Sequence, residues 1–221
     1  MAAVVFDLDG TLVDSVQDLA ASGNALLGEY GRPPLAADAI AAMVGDGARV
    51  LVQRLFDVAG ITAPVDEGLA RFLALYDERL VDATRPYDGV PELLEALAQR
   101  GMPMAVLTNK PRAMSRRLLD ELGLSRYFTD VFGGDGPFAR KPDPAGLIHL
   151  RDAAGGRAMM VGDSPADLHT ALAAAVPACL VRYGFGFGKL SEEEIRRASW
   201  IIDEPRELLE LVAQWEAGAR R

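Results

Sequence analysis

The chain has 221 residues, half of them hydrophobic and a quarter charged, with a formal net charge of -9. That length suits one large domain or a main domain with a smaller insertion, and the negative charge argues against nonspecific attraction to nucleic acid or an anionic membrane. Cys179 is the single cysteine, which excludes an internal disulfide and fits a reducing cytoplasm.

In chain order, an apolar run at Ala3 to Phe6 predicts a first buried strand. From Val16 to Asp82 strand signals vanish and successive helices are predicted. In the last of them Leu69, Phe72, Leu73, Tyr76 and Leu80 form one apolar stripe suited to helix packing. Strands resume at Met104 to Leu107, Ala158 to Val161 and Ala178 to Val181, with short ones predicted at Asp130 to Phe132 and Trp200 to Asp203. Their alternation with helical patterns predicts an α/β fold with a Rossmann-like parallel sheet and crossover helices. Because the helical block falls between the first strand and the rest, it reads as an insertion. Residues 16–84 form the inserted α-helical domain, and 1–15 with 85–221 form the core. The exits lie near Ser15 and the stretch Ala83 to Gly89, a pair of linkers that would make a hinge. GFGFG, Gly184 to Gly188, reads as a flexible loop. The acidic run Glu192 to Glu194 after Ser191 predicts a helix start, and the tail with Leu208, Leu209, Val212 and Trp215 predicts a packing helix.

Four segments carry chemistry. In FDLDGT, Asp7 and Asp9 alternate with apolar Phe6 and Leu8, so the two carboxylates share a face roughly 6 to 7 Å apart. Such a pair repels unless a proton or cation intervenes, and a hard divalent cation such as Mg²⁺ suits oxygen ligands. LTNK, Leu107 to Lys110, offers the Thr108 hydroxyl and backbone N–H groups to an anion at a helix start. RKPDP sets Lys141 before a turn stiffened by prolines. GDSPAD adds Asp163 and Asp167, with a helix starting at Pro165. Each segment also has a plain structural reading as a turn, a solvated lysine or a helix cap. Their shared location decides against it, since parallel sheets bind ligands outside the carboxyl ends of their strands. Acidic ligands, anion donors and a lysine gathered there are the equipment of phosphoryl transfer.

In order and spacing, FDLDGT, LTN, the lysine of RKPDP and GDSPAD resemble the four motifs of the haloacid dehalogenase superfamily. The helical insertion together with DGTLVDS is similar to its phosphatases with a helical cap, and VGDGARVLVQR and YGFG resemble the phosphoglycolate phosphatases among them. The resemblance implies that Asp7 is the nucleophile, becoming a transient aspartyl phosphate, while Asp9 protonates the leaving group and later activates water. It implies Mg²⁺ held by the side chains of Asp7 and Asp163 and by the backbone carbonyl of Asp9. Thr108, Asn109 and Lys141 would hold phosphoryl oxygens, and Asp167 would orient Lys141 or a metal-bound water. Ala166 stands where relatives often have asparagine and receives no role. In the cap, Gly45 and Gly47 would let the backbone approach the site. Arg49 either meets a substrate carboxylate or is an exposed helix residue. Asp14 is read as a structural residue beside the hinge.

The expected activity is hydrolysis of a small phosphate monoester, 2-phosphoglycolate foremost, with a sugar phosphate, N-acetylmuramic acid 6-phosphate or pyrophosphate as alternatives. A receiver-like phosphoacceptor module shares the aspartates, magnesium and lysine but lacks a helical insertion of this size. The expected partner is a small phosphorylated metabolite, with neither nucleic acid nor membrane, and the expected assembly is a monomer or homodimer. The start has no basic segment and reads as no secretion signal, so a cytoplasmic location is expected.

Overall fold

The computed structural model describes residues 2–218. Strand β1 (Ala2–Phe6) leads through the short β2 (Val13–Asp14) into helices α1 (Val16–Glu29), α2 (Ala37–Ala41), α3 (Ala48–Ala59) and α4 (Val65–Asp77). The chain returns through β3 (Arg85–Pro86). Then follow α5 (Val90–Gln99), β4 (Met104–Leu107), α6 (Arg112–Glu121), β5 (Asp130–Phe132), α7 (Ala145–Ala153) and β6 (Arg157–Gly162). The remainder comprises α8 (Pro165–Ala173), β7 (Ala178–Val181), α9 (Glu192–Arg197), β8 (Trp200–Ile202) and α10 (Glu207–Gly218). Six strands form one sheet in the order β5-β4-β1-β6-β7-β8, every pair parallel. The predicted α/β class and its parallel sheet are therefore those of the molecule.

Period-two alternation divides the strand side chains between two apolar layers. Val4, Phe6, Val106, Met159 and Val181 pack with Leu94 of α5, Leu118 of α6 and Leu208 of α10. Val5, Ala105, Met160 and Leu180 pack with Leu147 of α7 and Leu168 of α8 on the opposite face. Both faces are covered, which is why the strands read as unbroken apolar runs rather than as alternating ones. Each fully buried leucine or phenylalanine contributes roughly 1.5–3 kcal/mol by leaving water.

The first four helices pack on one another, and Leu51, Phe56 and Phe72 join the same apolar cluster as Phe6. Their stripe residues Phe72 and Tyr76 are buried, whereas Leu80 is buried beyond the end of α4. The two crossings between this layer and the sheet pair as an antiparallel ribbon, Val13 with Pro86 and Asp14 with Arg85. A carboxylate ties them, though it is Asp18 rather than Asp14. Buried Asp18 accepts from the Thr84 N–H at 2.8 Å, the Thr84 hydroxyl at 2.7 Å and the Ala83 N–H at 2.9 Å. Asp14 is exposed and accepts from the Val16 N–H at the start of α1.

Candidate active site at the carboxyl edge of the sheet

The site follows from where strands stop. The Asp7 N–H still bonds to the Val161 carbonyl at 2.9 Å, so Asp7 takes its place from the β1–β6 ladder. Gly10 then turns the chain at φ +85°, and a Cβ there would lie 2.1 Å from Asp163 Oδ2. Only glycine permits both that backbone and that approach. Thr108 follows β4, its N–H on the Phe132 carbonyl at 3.0 Å, and Asp163 follows β6 directly before α8.

Lys141, on the loop between β5 and α7, joins the strand ends. Its ammonium lies 2.6 Å from Asp167 Oδ1 and 2.8 Å from Asp7 Oδ1, with both partners buried. The approach to Asp7 is an ion pair without hydrogen-bond geometry, so Asp7 Oδ1 is buried with no hydrogen-bond donor. Burial opposes the Lys141 charge, but Asp167 and Asp7 outweigh it and raise its pKa. Burial pushes the Asp7 carboxyl up to about 6, with Asp167 adding to the rise and Lys141 opposing it. Asp163 is raised well above the ordinary carboxylate value by burial first and then by Asp167 and Asp7.

Oxygens of Asp7, Asp163 and Asp167 lie within 4.8 Å of one another, so these three carboxylates form a compact buried cluster. Their commitments differ. Asp167 places Oδ1 on Lys141 and Oδ2 on the Ser164 N–H and hydroxyl at 3.0 and 2.6 Å. Asp163 accepts from the Gly186 N–H at 2.7 Å and from the Thr11 hydroxyl at 3.3 Å. The glycine-rich loop after β7, expected to be flexible, is thus seated on Asp163, and Gly184 and Gly186 are buried.

Asp9 sits apart from Lys141. It accepts from the Ser15 hydroxyl at 2.6 Å and from the Lys110 ammonium at 3.0 and 3.2 Å, and Lys110 also donates to the Tyr76 hydroxyl. Asn109 faces the cavity, and its amide N–H groups reach the Gly45 and Lys141 carbonyls, each at 3.0 Å. Asn109 Oδ1 is buried without a partner.

One cavity collects Asp7, Asp9, Thr108, Asn109 and Asp163 from the strand ends. From the helical layer it is lined by Gly45, Gly47, Leu51, Phe72 and Tyr76. Arg49 is not among its lining residues: its guanidinium pairs with Asp66 across the exposed faces of α3 and α4. The sequence reading gave no role to Lys110 or to Lys189, which also lines the cavity and donates to the Val44 carbonyl. Lys110 stands in the quoted LTNK, so a signal was present, whereas Tyr76 was visible only as part of an apolar stripe.

The fold is of the parallel α/β kind, with charged and polar groups gathered around one cavity on the loops that follow its strands. The chain belongs to the haloacid dehalogenase-like hydrolases, a family that matches residues 1–175. It is 40% identical over 214 residues to a phosphoglycolate phosphatase of Pseudomonas savastanoi pv. phaseolicola, covering 93% of this chain and 78% of the relative. It is 45% identical over 193 residues to one of Rhodospirillum rubrum, covering 83% and 80%. A crystal structure described as a predicted phosphoglycolate phosphatase from Haemophilus somnus 129pt superimposes with a TM-score of 0.89 at 31% identity, covering 96% of this chain and 98% of the other. Among the described residues no helix is long and apolar enough to cross a membrane.

Proposed function

We propose that this protein is a magnesium-dependent phosphatase for a small phosphate monoester, 2-phosphoglycolate foremost, working through a phosphorylated Asp7. The observation that carries this reading is the buried Asp7 beside the Lys141 ammonium, 2.8 Å away, at the open end of the sheet. A carboxylate attacking a phosphate dianion must overcome like charge, and a fixed cation beside the nucleophile reduces that repulsion.

The residues fit a hard divalent cation. Three buried carboxylates cluster there, and the one ammonium among them, Lys141, pairs with Asp7 and Asp167 and leaves Asp163 without an ion pair among the described residues. The side chains of Asp7 and Asp163 and the backbone carbonyl of Asp9 would hold Mg²⁺. Asp167, with both oxygens already committed, orients Lys141. When bound, the ion neutralises charge on Asp7 and on the transferring phosphoryl oxygens.

Asp7 attacks phosphorus, so an Asp7 O–P bond forms as the bond from phosphorus to the leaving oxygen breaks, and Asp9 gives that oxygen a proton. Asp9 then takes a proton from water, whose oxygen attacks the same phosphorus and frees Asp7 with release of phosphate. Thr108 and Lys141 hold phosphoryl oxygens, and Asn109 contributes its backbone N–H at the same place while its side-chain amide ties the Lys141 loop to Gly45. Residues 16–84 act as a cap on the core formed by 1–15 and 85–221, swinging at the β2–β3 ribbon. Closure keeps water away during transfer and opening admits it.

The names of the relatives support phosphoglycolate as the substrate. So does Lys189: no carboxylate lies in ion-pair contact with it among the described residues, and it offers a cation to a substrate carboxylate. Ranking small phosphate esters by kcat/KM tests the assignment, with phosphoglycolate expected first and a sugar phosphate ranked above it overturning the choice of substrate. Chelation should abolish turnover. Asp7→Asn should lower kcat by at least about 10³-fold with an unchanged circular dichroism spectrum, and full activity in that variant would remove Asp7 as nucleophile.

A further inference from the structure

Lys110 stands one residue beyond the LTN motif, and its ammonium is enclosed, with 3% of the side chain exposed. An enclosed ammonium persists only where partners replace its water. Here both Asp9 oxygens accept from it at 3.0 and 3.2 Å, the Tyr76 hydroxyl accepts as well, and the Tyr76 ring lies with its centroid 4.4 Å from Nζ. Burial opposes the charge, yet Asp9 and Tyr76 outweigh it and push Lys110 up to about 12. The Tyr76 hydroxyl is itself pushed up to about 12, chiefly by burial, and so keeps its proton.

These three groups come from three places in the chain. Asp9 follows β1, Lys110 follows β4, and Tyr76 lies on α4, where its ring stacks on Phe72 with centroids 5.9 Å apart. All of them border the cavity that also holds Asp7. Tyr76 can meet Lys110 only while α4 is docked over the strand ends.

We propose that Lys110 is a positioning residue for Asp9, and that Tyr76 seats Lys110 when the helical layer is closed, so that Asp9 is set for proton transfer only over a covered site. The inference rests on the reading of Asp9 as the proton-transferring group. As Asp9 gives its proton to the leaving oxygen, negative charge develops on its carboxylate. A fixed ammonium donating to both oxygens stabilises that charge without reorganisation. Ser15, donating at 2.6 Å, holds the same carboxylate from the β2 side, so two donors fix its plane. Lys110 thus serves Asp9 as Lys141 serves Asp7, with the difference that one of its partners belongs to the helical layer.

The test compares two esters that lack a carboxylate and differ in leaving group: ethyl phosphate, whose alkoxide needs a proton, and 4-nitrophenyl phosphate, whose phenolate leaves without one. The quantity compared is kcat/KM, which ends at phosphoryl transfer to Asp7 and excludes the later hydrolysis. Lys110→Met should lower kcat/KM for ethyl phosphate by about 30- to 100-fold and for 4-nitrophenyl phosphate by less than about fivefold, a part of the roughly 10²- to 10⁴-fold that a general acid supplies. Tyr76→Phe keeps the stacked ring and removes one acceptor. It should shift the same ratio in the same direction by about three- to tenfold, which keeps the test open if Lys110→Met folds poorly. Equal losses on both esters, or no change in the ratio in the folded Tyr76→Phe variant, would overturn the proposal while leaving the phosphatase reading intact. A wild-type protein that releases phosphate from none of the esters, phosphoglycolate included, would remove both.

Discussion

The strand ends and the helical layer border the same cavity, yet they deliver side chains to it by different physics. At the strand ends, position follows from the backbone: Asp7 continues the β1–β6 ladder, Thr108 continues β4 toward β5, and Asp163 directly follows β6. In the helical layer, Tyr76 reaches Lys110 because an apolar stripe on α4 docks with its hydroxyl at the end of the contact. The first arrangement is specified within a few residues of sequence, whereas the second exists only when two distant segments meet. A site of the first kind should be intolerant of small backbone changes, and one of the second kind should depend on the linkers.

The sharpest way to break the strand-end half is a single methyl group. A Cβ at Gly184 would lie 2.2 Å from Asp163 Cβ and 2.3 Å from the Gly10 carbonyl oxygen, so the loop after β7 must move off Asp163. Gly184→Ala should lower stability by about 1–3 kcal/mol as an overpacked site. It should also lower kcat about 100-fold by misplacing Asp163, since displacements near 1 Å carry losses of that order. Urea melts and steady-state kinetics check both effects. Wild-type kinetics in this variant would show that the loop is not fixed on Asp163 during turnover.

That contrast also sets what was legible in the sequence. Strands came from continuous apolar runs, since both faces of the sheet are covered, and the motif residues came from their fixed offsets after those strands. Asp18 was missed because an acidic residue in the first turn of a helix has an ordinary reading, favourable to the helix dipole. Its real partners, Ala83 and Thr84, are distant in sequence and carry no signal of their own. Asp14 lies beside the crossing in sequence and in space, its backbone pairing with Arg85 while its exposed carboxylate accepts from the Val16 N–H at the start of α1. The loop Gly184 to Gly188 was read by composition as flexible. In the structure Asp163 leaves no room for a side chain at Gly184 or Gly186, whereas Gly188 lies in open space.

The linker half is weaker and should break more gently. Asp18→Asn keeps the shape and one acceptor oxygen but sets an amide N–H₂ group against the donors of Ala83 or Thr84. Losing a charge-assisted acceptor in a buried position should lower stability by about 1–3 kcal/mol. If the β2–β3 ribbon is the swing point of the helical layer, KM should change more than kcat/KM for 4-nitrophenyl phosphate, because an altered balance of open and closed forms changes ground-state binding. A variant with wild-type stability would show that backbone pairing of β2 with β3 holds the crossings by itself.

The smallest effect is expected at Arg49, and it separates the two halves most clearly. Sequence placed this arginine between a role on a substrate carboxylate and a plain exposed position on a helix. In the structure it pairs with Asp66 from α4, half exposed, outside the lining of the cavity. An exposed ion pair of this kind exchanges its partner for water at little loss. Arg49→Ala should therefore change kcat/KM for phosphoglycolate by no more than about twofold, while Lys189→Ala, which removes a cation from the cavity wall, should raise KM for phosphoglycolate and leave KM for ethyl phosphate unchanged. A large rise in KM confined to Arg49→Ala and to substrates with a carboxylate would mean that the guanidinium leaves Asp66 during turnover. The helical layer would then recognise substrate through a charge carried in from its surface rather than through the apolar stripe docked over the strand ends.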